Sequence, residues 1–566
     1  MKRRDALTGL ALGLNSSSAI AGHLFNNSTK ELRADLVVIG GGLGGCAAAL
    51  SALRSGLHVI LCEETDWLGG QLTSQGVPPD EHKWIERHGC TKSYRSFRNS
   101  VREYYKKNYN LTARARDRAL LNPGNGSVSR LCGEPKVYLK CIESLFVEYL
   151  NKKKLILLKN TIAKSAQLER DEIISIEVEN QLTGDSLILN GRFFVDSTEL
   201  GDLLPITRCE HLIGTEGKEA TGELHMPERA SEKNQQAFTM CFAIEHRTGE
   251  NHTIAKPDNY NFWKEFIPKM TPPWPGKLLD FKYTHPSTGV AKILGFNPEG
   301  PHKFGIINLW KYRRIIAKEN FNNQSGMRDL SLINWPQNDY LLGNLTGVNR
   351  VERKKHIQQS KELSKSLLYW LQTDAPRSDS KTGWPGLRLR KDVFDTVDGM
   401  AKYPYVRESA RIKALTTIRE QDCGRENRAL ALGSDQSKVR SKQYHDSVGI
   451  GHYQIDLHPT TEGDNYIDFP ALPFELPLGA LIPVRINNLI AGSKNIGSTH
   501  VTNGCYRLHP VEWNIGEVAG NLAANCIKEN LHPKGIRNNP KRLNDFQKLL
   551  INNGVENRWA EEVYKT

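Results

Sequence analysis

Asp35-Leu36-Val37-Val38-Ile39-Gly40-Gly41-Gly42-Leu43-Gly44-Gly45-Cys46 is the stretch whose reading decides the fold. Its first residues form a short apolar run with β-branched members, which predicts a buried strand. Glycines follow at once, and the Ala- and Leu-rich stretch Cys46–Ser55 predicts a helix closed by Gly56. His58-Val59-Ile60-Leu61-Cys62-Glu63 predicts a second strand. Strand, helix and strand within about thirty residues make a βαβ unit.

The spacing Gly40-x-Gly42-x-x-Gly45 assigns each glycine a task. Gly40 permits the tight turn, Gly42 lets the backbone approach a pyrophosphate, and Gly45 lets helix and strand pack closely. Gly44 belongs to the same loop. The helix N-terminus offers unpaired N–H groups and a positive dipole end to the phosphates. Glu63, eighteen residues after Gly45, accepts hydrogen bonds from adenosine ribose hydroxyls in this reading; Glu64, one residue past the strand, is the weaker candidate. The fingerprint implies an adenine dinucleotide and does not separate FAD from NAD.

Outward from this unit, Leu155–Asn160 predicts another buried strand. Strand-like stretches at 163–169, 173–179 and 186–190 are separated by the turn signals Arg170-Asp171 and Thr183-Gly184-Asp185. Phe193-Phe194-Val195-Asp196 then returns as an apolar strand, so a parallel sheet interrupted by a β-meander is expected. From 206 to 440 the pattern loosens into Pro-rich turns and one good helix near Lys354–Leu371, and this region holds six of the ten tryptophans. Parallel-strand character resumes at Asn488-Leu489-Ile490-Ala491-Gly492, followed by a small-residue helix, Glu512–Cys526. The expected organisation is a signal-like or disordered N-terminus (1–33), a first dinucleotide-binding part (34–205), an inserted substrate or cap domain (206–440), the second dinucleotide-binding part (441–530) and a helical tail (531–566).

Trp67-Leu68-Gly69-Gly70-Gln71 resembles the Gly-Gly motif that FAD proteins of the glutathione-reductase-like fold carry near phosphates and flavin. Val195-Asp196-Ser197-Thr198-Glu199-Leu200-Gly201-Asp202 looks like their second motif. Asn488–Ala524, with Gly492, Gly516 and Glu517, resembles their last one, in which a helix points its N-terminus at the flavin pyrimidine. Tyr405–Arg411, Asp446-Ser447-Val448, Tyr453–His458 and Gly497–His500 through Arg507–Pro510 narrow the match to the large FAD-dependent oxidoreductase family, similar in its FAD fold to fumarate reductase and L-aspartate oxidase. The resemblance implies an α/β chain: a Rossmann-like FAD-binding domain with a β-meander, plus an inserted mixed α+β substrate domain. Related proteins that bind flavin covalently have a His after the Gly-Gly pair; Gln71 stands there, so dissociable FAD is expected.

Flavin chemistry asks the protein to orient substrate, hold a proton and stabilise charge. Arg507 is the candidate for binding a negative group on substrate or reduced flavin, and His500 and His509 are candidate acids or bases, because histidine titrates near neutral pH. The dipole of a helix starting near Trp513–Gly516 would favour charge near the flavin. His458 with Asp456 is a weaker pair, and Arg407, Glu408 and Arg411 suit a supporting ion-pair network. The expected activity is hydride transfer between a small-molecule substrate, with Arg507 hinting at an anion, and FAD, with electrons leaving to an acceptor the sequence does not identify. The alternatives are an FAD-binding protein with a structural or sensing role, or a flavin monooxygenase served by a separate reductase.

The bulk numbers fit this reading. The 566 residues exceed one simple core, and the +13 net charge is spread among acids rather than gathered into a nucleic-acid patch. No run approaches the ~20 apolar residues of a membrane span. The ten cysteines form no CxxC or CxxC/HxxxH set, which gives metal binding no support. Met1-Lys2-Arg3-Arg4-Asp5, a short apolar stretch to Leu14 and Ala19-Ile20-Ala21-Gly22 read as a twin-arginine-like signal peptide, implying a periplasmic or secreted location, or else as an uncleaved tail of a cytoplasmic protein.

Overall fold

The computed structural model describes residues 30–301 and 305–565. The signal-like stretch through Gly22 lies outside the described residues. The α/β architecture is built on β1 (Lys30–Ile39), α1 (Leu43–Arg54), β2 (Val59–Glu63), β3 (Leu155–Lys159), β4 (Thr161–Glu169), β5 (Glu172–Asn180), β6 (Ser186–Asp196) and β7 (Leu489–Ala491). The sheet order is β3-β2-β1-β6, all parallel, with β5 and β4 added antiparallel beside β6. Leu36, Val37, Val38, Ile60 and Leu61 are fully buried, as parallel strands covered on both faces require.

Two strands differ from the sequence reading. β1 begins at Lys30 rather than Asp35, because Lys30–Ala34 pair in register with Leu187–Gly191. The stretches expected separately at 186–190 and 193–196 form one continuous strand, β6. One edge of β6 lies along β1. Its other edge is shared: the first half bonds to β5, and Phe194–Asp196 bond to Leu489–Ala491 of β7. A strand nearly three hundred residues later thereby completes the sheet.

The long helix of the inserted region, α2, spans Arg350–Thr373. Near the C-terminus come α3 (His500–Tyr506) and α4 (His509–Glu529). α4 starts three residues before the predicted Glu512, because Pro510 fits a helix's first turn, where no N–H partner is needed. α1 and α4 meet backbone to backbone. A Cβ on Gly516 would fall 1.8 Å from the Gly44 carbonyl oxygen, and one on Gly520 would fall 2.1 Å from that of Ala48.

Between these parts, Arg314–Ile316, Leu330–Ile333, Phe242–His246 and Leu387–Leu389 form a four-stranded antiparallel sheet. Trp263, Trp274, Trp310, Trp335, Trp370 and Trp384 are all buried around it. Among the described residues no helix is long and apolar enough to cross a membrane.

Candidate functional site

Gly40 turns the chain out of β1 at φ +96°, and a Cβ there would lie 2.2 Å from the Ser197 carbonyl oxygen. Gly42 is the N-cap of α1 and supplies no side-chain cap, so the first-turn N–H groups face outward. They border a cleft of ≈ 300 Å³ lined by Gly40, Gly42, Glu63, Glu64, Gly70 and Thr198. Glu63 reaches into it from the end of β2. Its carboxylate accepts from Gly41 N at 2.9 Å, Thr65 N at 2.9 Å and Thr65 Oγ1 at 2.7 Å. Burial pushes its pKa up to about 7, against the opposing pull of those hydrogen bonds. Glu64 rises to about 8 through burial and the nearby Asp202 and Glu63 carboxylates.

Gly42 and Gly70 face each other: a Cβ on Gly70 would be 2.9 Å from the Gly42 Cα. The Glu199 carboxylate stands against both glycines and is paired with Lys494, whose side chain is fully buried. A negative group therefore sits at the N-terminus of α1, where the dipole favours one, and Glu512 adds a second by accepting from the Gly44 N–H at 3.4 Å. Sequence reading passed over the Glu199–Lys494 pair because its members are almost three hundred positions apart.

The remaining predicted cofactor residues have other surroundings. Gly44 and Gly45 press against the Gly492 and Gly40 carbonyls, where a Cβ would fall at 2.0 and 1.8 Å, and Gly492 leaves room for Val195 and Ser197. Gly69 donates its N–H to the Gly41 carbonyl at 2.7 Å. Asp196 is wholly buried and locks the turn after β6, accepting from Thr198 N, Thr198 Oγ1 and Leu203 N. Burial raises its pKa to about 7. Gly516 and Glu517 are interior to α4 rather than at its N-terminus; Glu517 accepts from the Ser93 hydroxyl at 2.5 Å. α4 starts at His509, not at Trp513–Gly516.

A second, inner cavity of ≈ 300 Å³ is lined by Arg507 together with Asp80, Arg313, Arg407, Asp456 and His458, among aromatic walls. Gln71, adjacent to the cleft residue Gly70, donates Nε2–H to the Arg507 carbonyl at 3.0 Å and to Glu512. Tyr403 lines the cleft and Tyr405, two residues on, lines the cavity. Arg507 donates to the Tyr405 hydroxyl at 2.8 Å and pairs with Asp456 at 3.3 Å.

The histidines separate. His458 faces the cavity with Nδ1 on Asp339 at 2.6 Å and Nε2 3.5 Å from Asp456. His500 does not line it but borders a third cavity, which His458 also lines, with Nδ1 on Glu408 at 2.9 Å. Burial alone would lower the His500 pKa, and the Glu408 carboxylate more than offsets that. His509 is completely buried; burial and the Arg313 charge push it down to about 3, so it is neutral at pH 7 and accepts from the Asp80 N–H at 3.1 Å. The expected single network of Arg407, Glu408 and Arg411 is split: Arg411 pairs with Glu408 and Glu216, whereas Arg407 pairs with Asp339.

The family profile described as FAD dependent oxidoreductase matches residues 35–550. The chain belongs to that family. FAD is accordingly its cofactor, and the residues present fit it: a glycine-faced cleft at a helix N-terminus and an acid at the tip of β2.

Among solved structures, a geranylgeranyl bacteriochlorophyll reductase-like protein from Thermoplasma acidophilum is 10% identical, with 92% of this chain and 84% of that one covered and a TM-score of 0.30. Quinol fumarate reductase from E. coli gives 11%, 92%, 74% and 0.32. L-proline dehydrogenase from P. horikoshii gives 16% over 33% of this chain and 24% of that one, with a TM-score of 0.16. The aligned part thus spans about a quarter of that dehydrogenase, and likenesses this low carry no argument about substrate. No curated protein matches the chain.

Proposed function

We propose that this FAD-dependent oxidoreductase passes a hydride between a small-molecule substrate and non-covalently bound FAD. Residues of the outer cleft would hold the adenosine end, and residues of the inner cavity would face the ring. The observation that carries this reading is the link from Gly70 in the cleft wall, through the adjacent Gln71 and its bond to the Arg507 carbonyl, to Arg507 in the lining of the second cavity. Bound FAD supplies the two-electron chemistry. Gly42 and Gly70 would let the backbone approach the pyrophosphate, Lys494 would offset the Glu199 carboxylate that stands against these glycines, and Glu63 would accept from the ribose. Arg507 orients the substrate, and His458 holds or moves the proton. Gln71, a poor nucleophile for flavin attachment, leaves FAD dissociable.

Purified protein is expected to be yellow, and acid precipitation is expected to leave the flavin in the supernatant. Flavin retained in the pellet would show a covalent bond. Anaerobic substrate addition should bleach the colour; a colour that persists against every class of reductant substrate supports the binding-only reading instead.

Glu63→Gln is expected to weaken FAD binding by about 1.5–3 kcal/mol, the range for hydrogen bonds to a charged acceptor. Ribose hydroxyls bond better to the ionised carboxylate. With the FAD-free pKa at about 7, affinity should therefore rise as pH increases through neutrality. Fluorescence titration of apoprotein with FAD at several pH values tests this, and Glu63→Gln should flatten the profile.

A further inference from the structure

The three guanidiniums that line the inner cavity each face a carboxylate, and Lys292 and His285 line it besides. Arg507 faces Asp456 at 3.3 Å, Arg407 faces Asp339 at 3.0 Å, and Arg313 faces Asp80 at 3.6 Å. No guanidinium charge is left over to demand an anion, and a carboxylate placed here would also meet Asp80, Asp456 and Asp468.

The geometry of the remaining donors points the same way. Carboxylates are gripped by two parallel N–H groups of one guanidinium. Arg407 already spends Nη1 on the Ala237 carbonyl and Thr239 Oγ1, and Nη2 on Asn334 Oδ1 and Asp339. Arg507 spends Nη1 on Tyr405 and Nη2 on Asp456. What stays without a hydrogen-bond partner, though buried and outside the ion pairs above, is a set of separate points: Nε of Arg407, Nε of Arg507, Nε of Arg313, and Asn334 Nδ2. Oδ1 of Asp468 stays open as an acceptor. Buried polar atoms without partners are rare and need explaining. Scattered single donors interleaved with acceptors suit groups that both donate and accept, and hydroxyls do both. Aromatic faces of Trp335, Tyr283, Tyr312 and Tyr453 supply flat apolar walls.

His458 completes the site chemically. Its Nδ1–H is fixed on Asp339, and Nε2 lies 3.5 Å from Asp456 in the cavity lining, close enough for that carboxylate to stabilise the cation formed on proton uptake.

We infer that the inner cavity takes a polyhydroxylated substrate, a sugar or polyol, and that His458 accepts the proton of the hydroxyl being oxidised. This rests on the hydride-transfer reading above. In the step, the O–H proton goes to His458 Nε2, the carbon-bound hydrogen leaves as hydride to the flavin, and a C=O bond forms. The alcohol loses two electrons and the bound flavin gains them.

The test uses the full chain with FAD bound, confirmed by its absorbance before any titration; a chain that takes up no FAD refutes the proposed function and not this step. D-glucose, D-galactose, D-xylose, sorbitol and myo-inositol are compared anaerobically with succinate, L-glutamate and L-proline. At least one polyhydroxylated probe is expected to bleach the flavin and to titrate saturably by calorimetry. Bleaching by the acids alone, or by none of the eight, overturns the substrate assignment. His458→Gln is expected to slow flavin reduction by the active probe about 100-fold or more, with its calorimetric affinity retained. An unchanged reduction rate overturns the role of His458.

Discussion

Gly45→Ala is expected to prevent accumulation of folded protein, whereas Gly42→Ala is expected to give a folded protein with little bound FAD. The two glycines are three residues apart in one loop, and their surroundings separate the outcomes. An Ala Cβ at 45 would lie 1.8 Å from the Gly40 carbonyl oxygen. That neighbour is backbone, tied by the Gly40 N–H to the Cys62 carbonyl at 3.0 Å, so it cannot withdraw without tearing the β1–β2 junction. Overpacking a well-filled core costs about 1–3 kcal/mol even where side chains yield, and here backbone must yield. At 42 the nearest atom is the Glu199 carboxylate at 3.0 Å, the end of a movable side chain, and φ of −63° suits any residue. The methyl group would instead occupy the space where a pyrophosphate approaches the helix. Circular dichroism and the flavin-to-protein absorbance ratio measure both effects. A Gly42→Ala protein that keeps a full complement of FAD would remove Gly42 from the cofactor site.

That contrast also explains what was legible from sequence. The strand–glycine–helix–strand unit is local, and its periodicity and turn residues sit within a few dozen positions, so β1, α1, β2 and the tip position of Glu63 could all be read. Gly516 and Gly42 are indistinguishable as letters, because a ligand and a neighbouring helix both exclude a Cβ. Only the 1.8 Å approach to Gly44 assigns Gly516 to helix packing. Polar partnerships are set by topology and leave no local trace. His458 invites pairing with Asp456, two residues away, yet its shorter contact is to Asp339, at 2.6 Å and 119 positions distant. Arg313 lies in a region without readable motifs and reaches the cavity because Asn308 and the short helix Leu309–Tyr312 turn the chain there. His500 and His509 are close in sequence to Arg507, but the break between α3 and α4 directs them away from its cavity.

Asp339→Ala is expected to cost about 3–5 kcal/mol of stability, the penalty for removing one partner of a buried ion pair. Asp339 is 1% exposed and accepts from Thr239 Oγ1 at 2.5 Å, Tyr466 OH at 2.6 Å and His458 Nδ1 at 2.6 Å, with Arg407 Nη2 at 3.0 Å. Burial alone would raise its pKa, but the Arg407 and His458 charges and its hydrogen bonds reverse that and hold it at about 2, below the ordinary 3.8. The folded protein therefore binds fewer protons at this site than the unfolded chain does. The resulting stabilisation is complete above pH ~4 and is lost as pH falls toward ~2, amounting to roughly 2 kcal/mol at 1.36 kcal/mol per pKa unit. Asp339→Asn keeps the shape, removes the charge and loses this pH-dependent part. Guanidinium denaturation of both proteins at pH 7 and pH 2.5 should then show their difference shrinking at the acidic end. Asp339→Asn should also lower turnover by 10²-fold or more, since an amide no longer fixes the proton on His458 Nδ1. A stability gap that stays constant over this pH range would mean that Asp339 is not held ionised. His458 would then lack the fixed carboxylate on which its role as a base depends.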